Sequence, residues 1–169
     1  MRPLNAGVRR PMIQVRAGDL LTVDAASGPV SFAVLTKHVL FGGNWCFVFF
    51  TVQTATSAAC DKNRHDGFNA FVDFIEPKRN GRVRRVAGGC NFSHLNGPEL
   101  LKQCPLKGEV RFGIWRWKDG QRLSAESVRS TASPTDAERE APEYSCFPAD
   151  FACELAARRW NPRESLWSA

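Results

Sequence analysis

The densest set of chemically active side chains is Lys78, Arg79, Arg82, Arg84 and Arg85, five bases within eight residues and no acid among them. A guanidinium presents a planar fork of N–H donors, which suits bidentate bonds to carboxylates and phosphates. The cluster therefore reads as a binding edge for an acidic partner, with Arg82 and Arg84 on one face of a strand and Arg85 on the other. Charges on an edge strand also have a plainer use, because they discourage strand-to-strand association. The acidic stretch Asp136–Glu154 could fold back onto these arginines and neutralise them.

Ile114–Lys118 interleaves Trp115 and Trp117 with Arg116 and Lys118. Exposed tryptophans on one strand face can stack unpaired bases or anchor a protein partner. Trp115, Arg116 and Trp117 thus complete the candidate partner-binding set. The competing reading is ordinary alternation, with both indoles in the core and the bases in water. It carries more weight, since large aromatics are usually well buried.

Two loops gather other reactive groups. Cys60–Asp66 holds a thiol, an imidazole and carboxylates, and Asp61, His65 and Asp66 could support metal-assisted hydrolysis. Cys90 and His94 could pair as nucleophile and base. Neither loop has the spacing of a metal site, and the chain has no CxxC, HxH or HExxH, no phosphate-binding glycine loop and no zinc-finger pattern. No catalytic residue, metal or cofactor is assigned. His38 reads as a core histidine.

These groups hang on a β-rich frame. Val30–Val52 is the longest apolar, β-branched and aromatic run, and Gly42-Gly43 near its middle signals a hairpin. Both faces of that hairpin are apolar, so both must be covered. The pairing expected from the glycines sets Leu40 against Trp45, His38 against Phe47, Thr36 against Phe49 and Val34 against Thr51. Met12–Arg16 and Leu20–Asp24 precede it as short strands. Gly67–Glu76 alternates, and Asn80-Gly81 predicts a second hairpin with Arg82–Ala87 as its return strand. Pro98–Cys104 reads as a short helix opened by proline, and Glu109–Lys118 as a strand. Residues 124–145 are polar and turn-rich, an acidic surface excursion or linker. Pro148–Trp160 is the best helix, with Asp150 in its first turn, where a carboxylate suits the helix dipole.

The expected fold is α+β: a mostly antiparallel sheet or small barrel with a C-terminal helix. Residues 1–11 read as a flexible basic arm and 12–169 as a single globular domain. The 169 residues suffice for one core. The net charge of +6 permits a nucleic-acid or acidic protein partner and demands neither. No signal segment or apolar run of transmembrane length stands out, so a cytoplasmic protein with its six cysteines as thiols is expected. The preference for arginine over lysine is read as base-composition bias and bacterial origin.

Together these features point to a non-enzymatic accessory protein. It would bind and inhibit or modulate an acidic protein, in the manner of immunity, anti-restriction or plasmid-transfer-inhibitor proteins. A nucleic-acid-binding protein using the basic hairpin and the Trp/Arg strand is the first alternative. A metal-dependent hydrolase or nuclease is the second.

Overall fold

The computed structural model describes residues 12–40, 43–51, 67–95, 99–106, 108–118 and 124–164. In chain order these form β1 (Leu20–Ala25), β2 (Gly28–Leu40), β3 (Gly43–Thr51), β4 (Phe68–Asp73), α1 (Ile75–Arg79), β5 (Val83–Ala87), β6 (Leu100–Gln103), β7 (Phe112–Lys118), β8 (Ser124–Thr131), α2 (Asp136–Glu140), β9 (Cys146–Pro148) and α3 (Ala149–Ala157). The architecture is α+β, with nine strands in two sheets among the described residues. The larger sheet runs β5-β1-β2-β3-β4-β9 and the smaller β6-β7-β8. Every pairing is antiparallel except that of β4 with β9. Neither sheet closes into a barrel among the described residues, so the open-sheet half of the expectation holds.

The central hairpin is β2 and β3, and it is covered on both faces as its composition requires. On one face Phe32, Val34, Val48 and Phe50 meet Phe68, Ala70, Val72 and Phe74, and α3 lies over them with Leu155, Ala152 and Cys153. Each fully buried Phe or Leu in this layer contributes roughly 1.5–3 kcal/mol. On the other face Leu20, Ala33 and Phe92 form one cluster, and Phe47, Phe71 and Leu101 form another. The second cluster joins the two sheets, because Leu101 belongs to β6 and Trp115 of β7 packs against it.

The register of this hairpin differs from the expected one. His38 pairs with Trp45 and Thr36 with Phe47, two residues tighter at the turn. A bulge at Leu35 then shifts the rest, so that Val34 meets Val48 and Phe32 meets Phe50. A bulge places one extra residue on one strand. Here it keeps Phe32 and Val34 on the α3 face while Thr36 and Lys37 follow a different register.

The second expected hairpin is not formed. After β4 the chain makes the short helix α1, with Pro77 in its first turn, where no N–H is needed. Asn80-Gly81 does turn the chain, with Gly81 at φ 67°. The return strand β5 nevertheless pairs with β1, at the far edge of the sheet, not with β4. A two-residue turn would have made β5 antiparallel to β4, whereas the observed pairings run them in the same direction. The free edge of β4 is taken instead by β9.

Pro98–Cys104 is also corrected: it carries strand β6, not a helix. Seven residues of helix do not repay nucleation on their own. In a strand, Leu101 and Lys102 are both buried and both backbone edges are used, one by β7 and one by the 142–144 segment. The polar stretch after residue 124 is surface strand β8 followed by helix α2, which Thr135 and Glu138 start with a reciprocal capping box. Met12–Arg16 forms no strand, and β1 begins at Leu20. The C-terminal helix falls where its pattern placed it, as α3.

Candidate partner-binding surface

The basic cluster spans the end of α1, the Asn80-Gly81 turn and β5. β5 is an edge strand, and among the described residues its outer side has no strand partner. Its register against β1 is broken between Leu20 and Leu21, so Val86 bulges outward and is 49% exposed. Val83 of this strand is buried in the core, and Ala87 packs part-buried against the Leu20, Ala33 and Phe92 cluster.

Three of the five bases are held by the chain's own acids. Arg82 donates two hydrogen bonds to the Asp150 carboxylate, at 2.6 and 2.9 Å, and so ties the start of β5 to the first turn of α3. The guanidinium beside Asp150 holds its carboxyl below the usual range. Arg85 donates to Asp19 at 3.0 Å and also to the Gln14 carbonyl. The carboxylate of Asp19 is nearly inaccessible and also accepts the Arg16 N–H, so this contact is built into the fold. Arg84 donates to Asp24 at 2.8 Å, with both side chains more than half exposed. Surface pairs of that kind contribute only about 0–1 kcal/mol. For Lys78 and Arg79 no side-chain partner is found among the described residues, and Arg79 is exposed. The acidic stretch does reach back, since Asp150 belongs to it; Asp19 and Asp24 complete the neutralisation from the other end of the chain.

The aromatic strand lies elsewhere. Trp115 is part-buried against Phe47, Phe71 and Leu101, and its ring lies 5.1 Å from that of Tyr144. It is a bridge between the sheets more than a stacking platform. Arg116 is exposed, as alternation requires. The side chain of Trp117 lies outside the described residues, as do that of His38 and the whole Cys60–Asp66 loop. The structure thus gathers Lys78 to Arg85 along one edge and places Trp115 and Arg116 on the second sheet. Cys90 is half-buried beside Leu20 and Phe92, and His94 sits in a single turn of 3-10 helix over Ser93–Leu95.

A third set of groups escaped the sequence reading. Lys102, Cys104 and Glu143 are buried together where β6 meets the 142–144 segment. Lys102 donates to the carbonyls of Arg139 and Pro162. The Cys104 thiol donates to Glu143 Oε1 at 2.6 Å, and its backbone N–H donates to Oε2 at 3.3 Å. Burial pushes the Glu143 carboxyl up and the Lys102 ammonium down. The sequence carries no signal for this cluster, because Glu143 lies 39 positions from Cys104.

Among the described residues no helix is long and apolar enough to cross a membrane, and no group of three or more potential ligands is placed to hold a metal ion. Compared with known proteins, the chain matches no family model, no curated protein and no solved structure.

Proposed function

We propose that this protein acts by binding another protein in the cytoplasm and blocking or modulating it, with the edge of β5 and the end of α1 as the contact and an acidic segment as the partner's side. One observation carries the reading. An edge strand with no partner on its outer side among the described residues presents Val86, the exposed Arg84 and, just before it in the chain, Lys78 and Arg79. Such an edge can receive main-chain bonds from an added strand, while charges beside it select the strand's composition. Arg84 can exchange Asp24 for a partner carboxylate at small cost, because the existing pair is solvent-exposed. Arg82 and Arg85 serve the fold and stand behind the contact. Polyanion binding is supported less, since three of the five bases already have acidic partners.

The test is a double charge reversal that spares the buried ties, Arg79→Glu with Arg84→Glu. Immobilised wild-type protein and the variant are exposed to lysate of the source cells, and the captured partner is then purified and titrated. The variant should melt like wild type and lose the partner, with affinity that falls only moderately with salt. Equal binding by the folded variant would leave β5 as a protected edge and nothing more. A log–log salt slope near −0.9 per contacted phosphate, with nucleic acid in the captured material, would replace the protein partner by duplex DNA.

A further inference from the structure

The buried Cys104–Glu143 pair opens onto a groove of about 350 Å³ between the β6 end and the start of α3. Leu106, Tyr144, Phe147 and Phe151 wall it, and Cys104 and Glu143 both line it. Phe147 and Phe151 meet edge to face at 5.3 Å, which leaves a preformed aromatic wall. Cys104 is 7% exposed, whereas Cys46 and Cys153 in the main core are at 2% and 1%, and among the described residues no carboxylate is bonded to their sulfurs. We infer that this groove is a covalent capture site, in which Cys104 adds to an α,β-unsaturated carbonyl compound carrying an aryl or other flat apolar body, with Glu143 as the base.

The arrangement has the parts such an addition needs. A carboxylate accepts the S–H directly, and the backbone N–H of Cys104 fixes that carboxylate through its second oxygen. Burial raises the proton affinity of Glu143, which makes it a better acceptor than an exposed glutamate. As the Sγ–Cβ bond forms, the S–H proton passes to Glu143 and the C=C π pair moves toward the carbonyl oxygen as an enolate. The proton then returns from Glu143 to the α-carbon. One S–C and one C–H bond are gained, one S–H and one π bond are lost, and no oxidant or second substrate enters. The site shares no residue with the β5 surface and does not depend on it.

The experiment treats the full-length protein with 4-phenylbut-3-en-2-one and follows each cysteine by peptide mass mapping, with rates normalised to glutathione. Cys104 should be labelled faster than the more accessible Cys90, while Cys46 and Cys153 stay unlabelled. Glu143→Gln should slow Cys104 by about a hundredfold and leave Cys90 unchanged. Protection of Cys46 and Cys153 in that variant reports that its core is intact. Should it fail to fold, wild-type protein decides through a second comparison: the groove requires that the aryl enone be favoured over but-3-en-2-one at Cys104 and not at Cys90. An unlabelled Cys104 when Cys90 is complete, an unchanged rate in folded Glu143→Gln, or no aryl preference would each overturn the assignment.

Discussion

At the scale of single residues, similar charges make very different contributions. Lys102 is almost wholly buried and its ammonium is bonded to two carbonyls from separate segments. Lys102→Met removes the counter-charge of Glu143 and leaves both carbonyls unpaired, so it should destabilise the fold by about 3 kcal/mol in urea melts. Arg84→Ala touches only an exposed pair and should stay within about 0.5 kcal/mol of wild type. Asp150 lies between these cases. Its carboxyl is held low by Arg82, so its stabilisation is fully present above the unfolded carboxylate range near pH 4 and is lost as pH falls through the lower folded value. Asp150→Asn should therefore weaken the protein at neutral pH and flatten the acid limb of its stability profile. An unchanged acid limb would mean that the Arg82 tie does not persist in solution.

At the scale of elements, the short pieces depend on their ends. α2 has only five residues, and its capping box supplies bonds that its length cannot. Thr135→Ala should cost about 1 kcal/mol, read by thermal melting, because an Ncap hydroxyl is replaced by nothing. Glu138 has a second task, since Arg129 of β8 donates to both its oxygens at 2.9 and 2.6 Å. Its replacement should loosen β8 as well as α2, with faster amide exchange along Ser124–Thr131 as the signature. Gly81 takes a positive φ between α1 and β5. Gly81→Ala should cost roughly 1–2 kcal/mol, without which the crossover to β1 would be reached by some other turn.

At the scale of the whole molecule, the question is whether two sheets behave as one body. They share the Phe47, Phe71 and Leu101 cluster, with Trp115 and Tyr144 packed around it. Leu101→Ala opens a cavity in that joint and should cost about 2–5 kcal/mol. With a shared core, wild type should unfold in one transition whether followed by tryptophan fluorescence or by backbone signal. Two transitions in Leu101→Ala alone would show that the joint enforces cooperativity. Phe50→Asp, which places a charge among Phe32, Phe68 and the α3 layer, should abolish the native state altogether.

Local pattern sufficed for the existence of the β2–β3 hairpin, though not for its register, and for β4 and α3, because apolar periodicity and helix-end chemistry act over a few neighbouring residues. It also sufficed to say that both faces of the hairpin are buried. The partner of β5 was not legible. Asn80-Gly81 turns the chain in the same way whichever strand lies beside the return, and only the competition for sheet edges sent β5 to β1 and β9 to β4. Pro98–Cys104 misled for the same reason: its helix signals are real but weak, and two backbone ladders from distant segments outweigh them. The site followed this division. The density of bases from Lys78 to Arg85 is a property of the sequence, whereas which of them remain available depends on Asp19, Asp24 and Asp150, which meet them only after folding. The Cys104–Glu143 pair is tertiary throughout, since a hydrogen bond between residues 39 positions apart has no local signature.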